Sequence, residues 1–175
     1  FHMQTLEQLI DSIRPLDAEA QRLARVRVDA LVKPIGSLGV LESLVVQLAG
    51  IYRTPEPSLG PKQILVMAAD HGVFDEDIAV TPKAVTVIQA LNMTRGKTGV
   101  CALAHAAGVA VKIVDIGIDC EPLPGVTSIK LARGCGNIAR GPAMRREDAV
   151  ELLLRSARLA RQGVADGVRV LGVGE

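Results

Sequence analysis

One apolar run, with the polar residues that end it, most constrains the fold of this chain. Residues 63–69 read Gln-Ile-Leu-Val-Met-Ala-Ala, and Asp70, His71 and Gly72 follow at once. Such a run is typical of a strand buried on both faces of a parallel sheet. Ligands of open parallel sheets bind at the carboxyl ends of the strands. We therefore predict that Asp70 and His71 line a binding site, although a turn cap and a turn histidine are the structural alternatives.

Further strand and helix patterns alternate along the chain. Apolar runs rich in β-branched residues predict strands at 109–116, 128–132 and 168–173, and helical spacing predicts a helix at 147–162. Strands that alternate with helices pair in parallel. The fold class that we predict is α/β, with a doubly wound, mostly parallel, Rossmann-like sheet. Carboxylates at the strand ends, Asp115 and Asp119 among them, are expected near Asp70.

The helix between the first two strands has a recognisable start. Thr81 offers a hydroxyl cap and Pro82 suits the first helical position, so we predict a helix over 81–107. Gly96 and Gly99 fall inside this range. We expect the helix to be interrupted there.

The first sixty residues have a different, wholly helical pattern. Apolar residues at helical spacing predict helices at 5–13, 17–31 and 39–53. We predict that 4–54 is the helical segment of a small domain, that the proline-rich 55–61 is a connector, and that 62–175 is an α/β domain. The closing Gly172–Glu175 resembles another strand end, so we expect this domain to be truncated. Phe1–Met3 is interpreted as a cloning remnant.

Composition excludes several classes of function. Aromatic residues make up 2% of the chain and the net charge is +1, which argues against nucleic acid as a partner. No apolar run is long enough to span a membrane. Cys101, Cys120 and Cys135 have no metal-binding spacing, so we predict no metal, no disulfide framework and a reducing, cytoplasmic location. His105 sits in an apolar helix and is predicted to lie in the core.

Two glycine motifs are decoys. Residues 96–98 resemble the end of a phosphate-binding P-loop, but the first glycine of that motif is absent. Residues 134–139 fit a dinucleotide fingerprint, but the Gly-Pro pair at 141–142 would break the helix that must follow it. A small dehydrogenase-like protein is therefore disfavoured. Exposed backbone amides beside a cation bind anions, so Arg133 and Asn137 are predicted to bind an anion, with a surface loop as the alternative.

Six ordered motifs together resemble one family. They are residues 29–42 (Asp-Ala-Leu-Val-Lys-Pro-Ile-Gly-Ser-Leu-Gly-Val-Leu-Glu), 68–73 (Ala-Ala-Asp-His-Gly-Val), 81–86 (Thr-Pro-Lys-Ala-Val-Thr), 114–119 (Val-Asp-Ile-Gly-Ile-Asp), 133–144 (Arg-Gly-Cys-Gly-Asn-Ile-Ala-Arg-Gly-Pro-Ala-Met) and 174–175 (Gly-Glu). The pattern resembles the nicotinate-nucleotide:dimethylbenzimidazole phosphoribosyltransferases, the CobT family, and covers its amino-terminal half only.

The resemblance implies a reaction and its partners. Such enzymes transfer the phosphoribosyl group of nicotinate mononucleotide to 5,6-dimethylbenzimidazole, which gives α-ribazole phosphate for the lower ligand of cobalamin. It also implies a homodimer and no metal or redox cofactor. The catalytic glutamate of the family lies in a Gly-Glu-Gly motif that comes after the position of Glu175. Glu175 itself matches an earlier motif of the family. The catalytic residue is therefore unknown here.

The motif residues give the substrate-binding prediction. Lys33 and Ser37 fit a binding role and a helix-linking turn equally well. The residues that we predict to bind substrate are Asp70, His71, Gly72, Lys33, Ser37, Arg133, Asn137 and Glu175.

Two departures from the family pattern bear on the choice of base. The family often carries a serine before the Thr-Pro pair and a glutamine after the Val-Thr pair, and the matching residues here are taken to be Ala79 and Val87. We therefore expect related azoles or phenols to compete with dimethylbenzimidazole. The alternative function is a noncatalytic nucleotide- or azole-binding half that requires a partner chain. In both cases we predict little turnover, because losing a general base costs about 10²–10⁴ in rate.

Overall fold

The computed structural model describes residues 5–175, and the interpretation of Phe1–Met3 lies outside them. The chain forms two compact units. Glu7–Leu59 make up a helical unit, and Gly60–Glu175 make up an α/β unit.

Small residues bring the two longer helices of the helical unit together. The helices of this region are α1 (Leu6–Asp11), α2 (Ala18–Asp29) and α3 (Val40–Tyr52). Asp17 caps α2, because its carboxylate accepts the backbone N–H of Ala20 at 2.8 Å. Ala24 on α2 and Ala49 on α3 are fully buried. The three helices predicted for this region are confirmed.

The α/β unit is a four-stranded parallel sheet with helices in its connections. Its elements are β1 (Lys62–Ala69), a 3₁₀ turn (Gly72–Glu76), α4 (Val85–Thr94), α5 (Gly99–Ala106), β2 (Ala110–Gly117), β3 (Thr127–Ser128), α6 (Arg146–Ala165) and β4 (Val170–Gly174). The strand order is β3-β2-β1-β4, and every neighbouring pair is parallel. The predicted α/β class is confirmed, and so is the interruption between α4 and α5.

Two boundaries differ from the prediction. Helix α4 begins at Val85 rather than at Thr81, and it is preceded by a turn in which the N–H of Val85 donates to the carbonyl of Pro82 at 3.0 Å. Strand β3 is a two-residue strand and does not reach residue 132. Its pairing with β2 ends at Ser128, and the next backbone N–H, that of Ile129, donates to the carbonyl of Asp115 at 2.9 Å.

The sheet core is aliphatic. Its buried side chains are Leu65, Val66, Ile113 and Val114 from β1 and β2, with Ala90, Ala104, Ile118 and Leu154 from the flanking elements. The prediction for His105 is wrong: α5 buries Ala104, while His105 is exposed in the last helical turn. A basic side chain is favourable at that end of a helix.

The structure also bears on two excluded classes. Residues 134–145 contain no helix, which confirms that the glycine motif there is no dinucleotide fingerprint. Within residues 5–175, none of the helices has the length and apolar character that crossing a bilayer requires.

Candidate functional site

The candidate site starts where β1 and β2 end on the same edge of the sheet. Ala69 is in register with Gly117, and the pairing slips by one residue just before this point, which leaves Ile116 as a bulge. The backbone N–H of Asp70 donates to the carbonyl of Gly117 at 3.0 Å. The Asp70 carboxylate, only 7% exposed, accepts the backbone N–H of Asp119 at 2.8 Å. Asp70 therefore joins the loops that follow the two strands.

Gly72 is required by a close approach of two loops. A Cβ atom at this position would lie 2.6 Å from the backbone nitrogen of Asn137 and 2.7 Å from the carbonyl oxygen of Cys135. Real Cβ atoms essentially never come so close to backbone. Only glycine lets the loop after β1 pack directly on the loop at 135–137.

A small cavity of about 310 Å³ opens beside the first of these loops. Its lining is Ala69, Asp70, His71, Val73, Phe74, Ile78, Ala79, Thr81, Pro82, Lys83, Val85, Thr86 and Gln89. Seven of these thirteen residues are apolar and six are polar or charged, so the cavity combines an apolar wall with polar groups, as small-molecule sites do. The structure thus brings Asp70 and His71 to one cavity.

The register of α4 corrects one expectation about this cavity. Val87 packs against the core around Ala90 and Ile113, so it does not stand where a polar group would meet a ligand. Gln89 and Thr86, three residues apart and on one helix face, line the cavity instead. Val87 thus belongs to the core, and the sequence analysis missed Gln89, which helical spacing from Thr86 could have indicated.

A larger cavity of about 740 Å³ carries the cationic groups, and we call it the arginine cavity. Its lining is Ile116, Leu131, Ala132, Arg133, Gly134, Cys135, Gly136, Pro142, Ala143, Met144, Arg145, Arg146, Asp148 and Leu152. Arg145 is bound by Asp148 at 2.8 Å through two nitrogens. In the described part of the chain Arg146 makes no ion pair. Sequence analysis identified Arg133 but missed both arginines at the start of α6.

One carboxylate, that of Asp119, bridges the two cavities. Its Oδ2 atom lies 2.8 Å from Nζ of Lys83, and its Oδ1 atom lies 3.5 Å from Nε of Arg133. Arg133 also donates to Glu121 at 2.7 Å. The hydrogen bond from Lys83 lowers the pKa of Asp119, and Arg133 adds to this effect. The same hydrogen bond raises the pKa of Lys83.

A second contact joins the cavities through a thiol and an imidazole. Sγ of Cys135, in the lining of the arginine cavity, lies 3.5 Å from Nδ1 of His71, in the lining of the small cavity. Within residues 5–175 no group of three or more histidine, cysteine, aspartate or glutamate side chains is placed to hold a metal ion.

The amide of Asn137 is occupied within the protein. Its Nδ2 atom donates to Oε1 of Glu76 at 2.6 Å, and its Oδ1 atom accepts the backbone N–H of Ala139 at 2.9 Å. Arg140 donates to the same Glu76 oxygen at 2.9 Å. Asn137 therefore fixes the loop beside Gly72.

Asp115, expected among the carboxylates at the strand ends, is fully buried instead. Its Oδ1 atom accepts the backbone N–H groups of Gly117 and Ile118 at 3.0 and 2.7 Å. Its Oδ2 atom lies 2.7 Å from Nζ of Lys130. Lys130 in turn donates to the carbonyls of Ile118 and Cys120. This ion pair shapes the loop that carries Asp119.

Lys33 and Ser37 lie in the helical unit. Nζ of Lys33 is 2.7 Å from Oε1 of Glu42, which is 4% exposed and also accepts the backbone N–H of Leu38 at 3.1 Å. These two hydrogen bonds lower the pKa of Glu42, and Arg25 at 3.7 Å adds to them. Ser37 is exposed, and its backbone N–H donates to the carbonyl of Pro34.

Glu175 follows β4 and is exposed. It lines a third cavity, of about 730 Å³, together with His71, Thr86 and Gln89. The structure thus brings Glu175 and His71 to one cavity, while Arg133 lines another.

Comparisons with known proteins agree on one family. The family described as Phosphoribosyltransferase (DBI_PRT) matches residues 13–175. The nicotinate-nucleotide–dimethylbenzimidazole phosphoribosyltransferase of Yersinia enterocolitica is 57% identical over 173 residues, which are 99% of this chain and 49% of that protein. The protein of the same name from Salmonella agona is 55% identical over 174 residues, with the same two coverages.

Solved structures give the same result. A crystal structure of the corresponding enzyme from Thermus thermophilus, at 38% identity, has a TM-score of 0.85 over 91% of this chain and 49% of that one. A second, of CobT from the same organism, has a TM-score of 0.83. The chain spans about half the length of the relatives it matches. It belongs to this phosphoribosyltransferase family, as its six motifs indicated.

Proposed function

We propose that this chain forms the base and nucleotide cavities of a nicotinate-nucleotide:dimethylbenzimidazole phosphoribosyltransferase. The observation that carries the proposal is the pairing of an apolar cavity with an arginine cavity at the carboxyl edge of one sheet. The names of the relatives support the choice of substrates.

The small cavity suits the aromatic base. Phe74, Ile78 and Pro82 supply apolar wall, and Thr81 and Gln89 supply polar groups for a ring nitrogen. Ala79 and Val87 lack the polar groups of the family pattern, but Thr81 and Gln89 supply polar groups to the cavity. Dimethylbenzimidazole is therefore the base that we propose.

The arginine cavity suits the phosphate of nicotinate mononucleotide. Arg133 and Arg146 offer positive charge, and the loop with Gly134 and Gly136 offers a surface that the phosphate can approach closely. The other residues that we propose to bind substrate are Asp70, His71, Gly72, Asn137 and Glu175 of the α/β unit, and Lys33 and Ser37 of the helical unit.

The reaction exchanges one carbon–nitrogen bond for another. A ring nitrogen of the base attacks C1 of the ribose, the bond to nicotinate breaks, and the second ring nitrogen gives up its proton. We assign that proton to a general base outside residues 5–175, since the Asp70 carboxylate is held by the backbone of Asp119. A homodimer in the cytoplasm is part of the proposal.

The test separates binding from turnover. The purified chain is incubated with nicotinate mononucleotide and dimethylbenzimidazole, and α-ribazole phosphate is sought by mass spectrometry against an enzyme-free blank. Binding of each substrate is measured by calorimetry on the same sample. We expect both to bind and little product to form. Abundant product would place the base inside this chain, with Asp70→Asn and His71→Gln as the next variants. Failure of a folded sample to bind either substrate would overturn the assignment of the cavities.

A further inference from the structure

We propose that Asp119 is a positioning residue that serves both cavities at once, holding Lys83 at the small cavity and Arg133 at the arginine cavity. This inference rests on the proposed function and adds a residue that the sequence motifs did not single out for binding.

The first argument is the geometry of the carboxylate. Each of its oxygens faces a different cation, with Nζ of Lys83 at 2.8 Å from Oδ2 and Nε of Arg133 at 3.5 Å from Oδ1. Lys83 lines the small cavity and Arg133 lines the arginine cavity, while Asp119 itself belongs to neither lining. A carboxylate so placed orients two ligand-facing cations without touching either ligand.

The second argument is that Asp119 is itself held by buried structure. Its backbone N–H donates to the carboxylate of Asp70 at 2.8 Å, and the loop that carries it is shaped by the Asp115–Lys130 ion pair. The carboxylate therefore has a fixed origin, whereas the two cations have long, flexible side chains that are about half exposed. Fixing such side chains reduces the entropy that binding costs.

The surrounding charges make Asp119 the shared member of the cluster. Asp70 and Asp75 also attract Lys83, but the hydrogen bond that Lys83 donates to Asp119 is the largest influence on its pKa. Glu121 binds another nitrogen of Arg133, Nη1, at 2.7 Å, and among the described residues it forms no ion pair with Lys83. Loss of the Asp119 charge therefore releases both Lys83 and Arg133, whereas replacing Lys83 or Arg133 affects only the cavity that this residue lines.

The first experiment measures the binding of dimethylbenzimidazole and of nicotinate mononucleotide by the whole chain. Asp119→Asn is expected to lower the affinity for each ligand about two- to fivefold, which is the range for partly exposed ion pairs. Lys83→Met should weaken only the base, and Arg133→Met only the nucleotide. Asp119→Glu should restore part of both affinities. Asp166→Asn, the same change at the end of α6, is the matched control and should leave both unchanged.

The second experiment needs no ligand. The side-chain ¹⁵N signals of Lys83 and Arg133 are followed by NMR as the pH falls, with assignments from the two methionine variants. Both signals should move with one midpoint, below the ordinary pKa of a carboxyl group, and this common step should vanish in Asp119→Asn.

The two experiments separate the two proposals. If wild type binds neither ligand but both signals move together, the proposed function fails for this chain and the positioning role of Asp119 stands. If both ligands bind and Asp119→Asn weakens one or neither, or if only one signal follows Asp119, the shared role is overturned.

Discussion

The helical unit and the α/β unit both organise a loop around a carboxylate, but over very different distances along the chain. Glu42 binds Lys33 and the N–H of Leu38, which are nine and four residues away. In the α/β unit, Asp70 reaches 49 residues to Asp119 and Glu76 reaches 61 residues to Asn137. The loop at residues 33–38 is thus held by hydrogen bonds to a residue close by in the sequence. The candidate site, in contrast, forms only once the sheet has brought distant loops together.

This difference predicts how damage spreads. A change at Glu42 should stay within residues 25–42 of the helical unit, because its partners Lys33, Leu38 and Arg25 all lie there. A change at the strand ends should disturb several loops together, because hydrogen bonds join these loops to one another.

Asp115→Asn is the strongest test on the α/β side. The amide cannot form an ion pair with Lys130, whose side chain is 11% exposed, and leaving a largely buried charge without its partner costs about 3–5 kcal/mol of unfolding free energy. Urea denaturation followed by circular dichroism measures the loss, and hydrogen exchange should increase at residues 70–76 as well as near Asp119. The double variant with Lys130→Met should recover part of the stability. An unchanged midpoint for Asp115→Asn would show that this ion pair does not support the site.

Gly72→Ala should come next in size. Its Cβ would meet backbone atoms of Gly136 and Asn137 at 2.6 Å, and such overpacking costs about 1–3 kcal/mol. We expect faster hydrogen exchange in both loops and weaker binding of both substrates. Gly141→Ala is the matched control, since a Cβ there meets nothing within 4 Å and its φ is not positive. Equal effects at the two glycines would contradict the close approach of the loops.

Glu42→Gln tests the local motif through its pH dependence. The folded-state pKa of Glu42 is lowered, so its ionised form stabilises the fold above the ordinary carboxyl pKa, and this stabilisation is lost as the pH falls through the lowered value. The variant should lose stability at neutral pH and little in acid. Tyr52, the one tyrosine of a chain without tryptophan, reports on α3 by fluorescence. Glu7→Gln serves as the control, and parallel pH curves for wild type and Glu42→Gln would rule the effect out.

Gln89→Leu should have the smallest effect, confined to one ligand. Removing a single hydrogen-bonding group from the small cavity is expected to weaken dimethylbenzimidazole about two- to tenfold and to leave nicotinate mononucleotide unchanged. Calorimetry measures both. Gln162→Leu on α6 is the matched substitution away from the cavities. Undiminished affinity for the base would remove Gln89 from its site.

The same contrast explains how much the sequence could predict. Strands β1, β2 and β4 were predictable because apolar runs report burial directly, and Asp70 and His71 followed from their place at a strand end. The start of α4 was not, since Thr81 and Pro82 suit a helix start as well as the loop they occupy. Local sequence carries no sign of which competing structure wins.

The position of a site residue was predictable only where a single helix or strand determines it. The exposure of His105 depends on which face of α5 meets the sheet, and the fixed amide of Asn137 depends on Glu76, 61 residues earlier. Arg145 and Arg146 reach the arginine cavity through the position of α6. Such arrangements follow from tertiary structure, which spacing along the chain does not record.

The strand order also has a consequence for how the chain folds during synthesis. β1 pairs with β2 across 47 residues, as between Gln63 and Ala110, but with β4 across 108, as between Lys62 and Val170. Closing the longer loop costs more entropy, so β4 is expected to dock after β2. Until the ribosome has delivered β4, one edge of β1 stays open, and an open edge pairs readily with other chains. A chaperone that covers nascent strands would act during that interval.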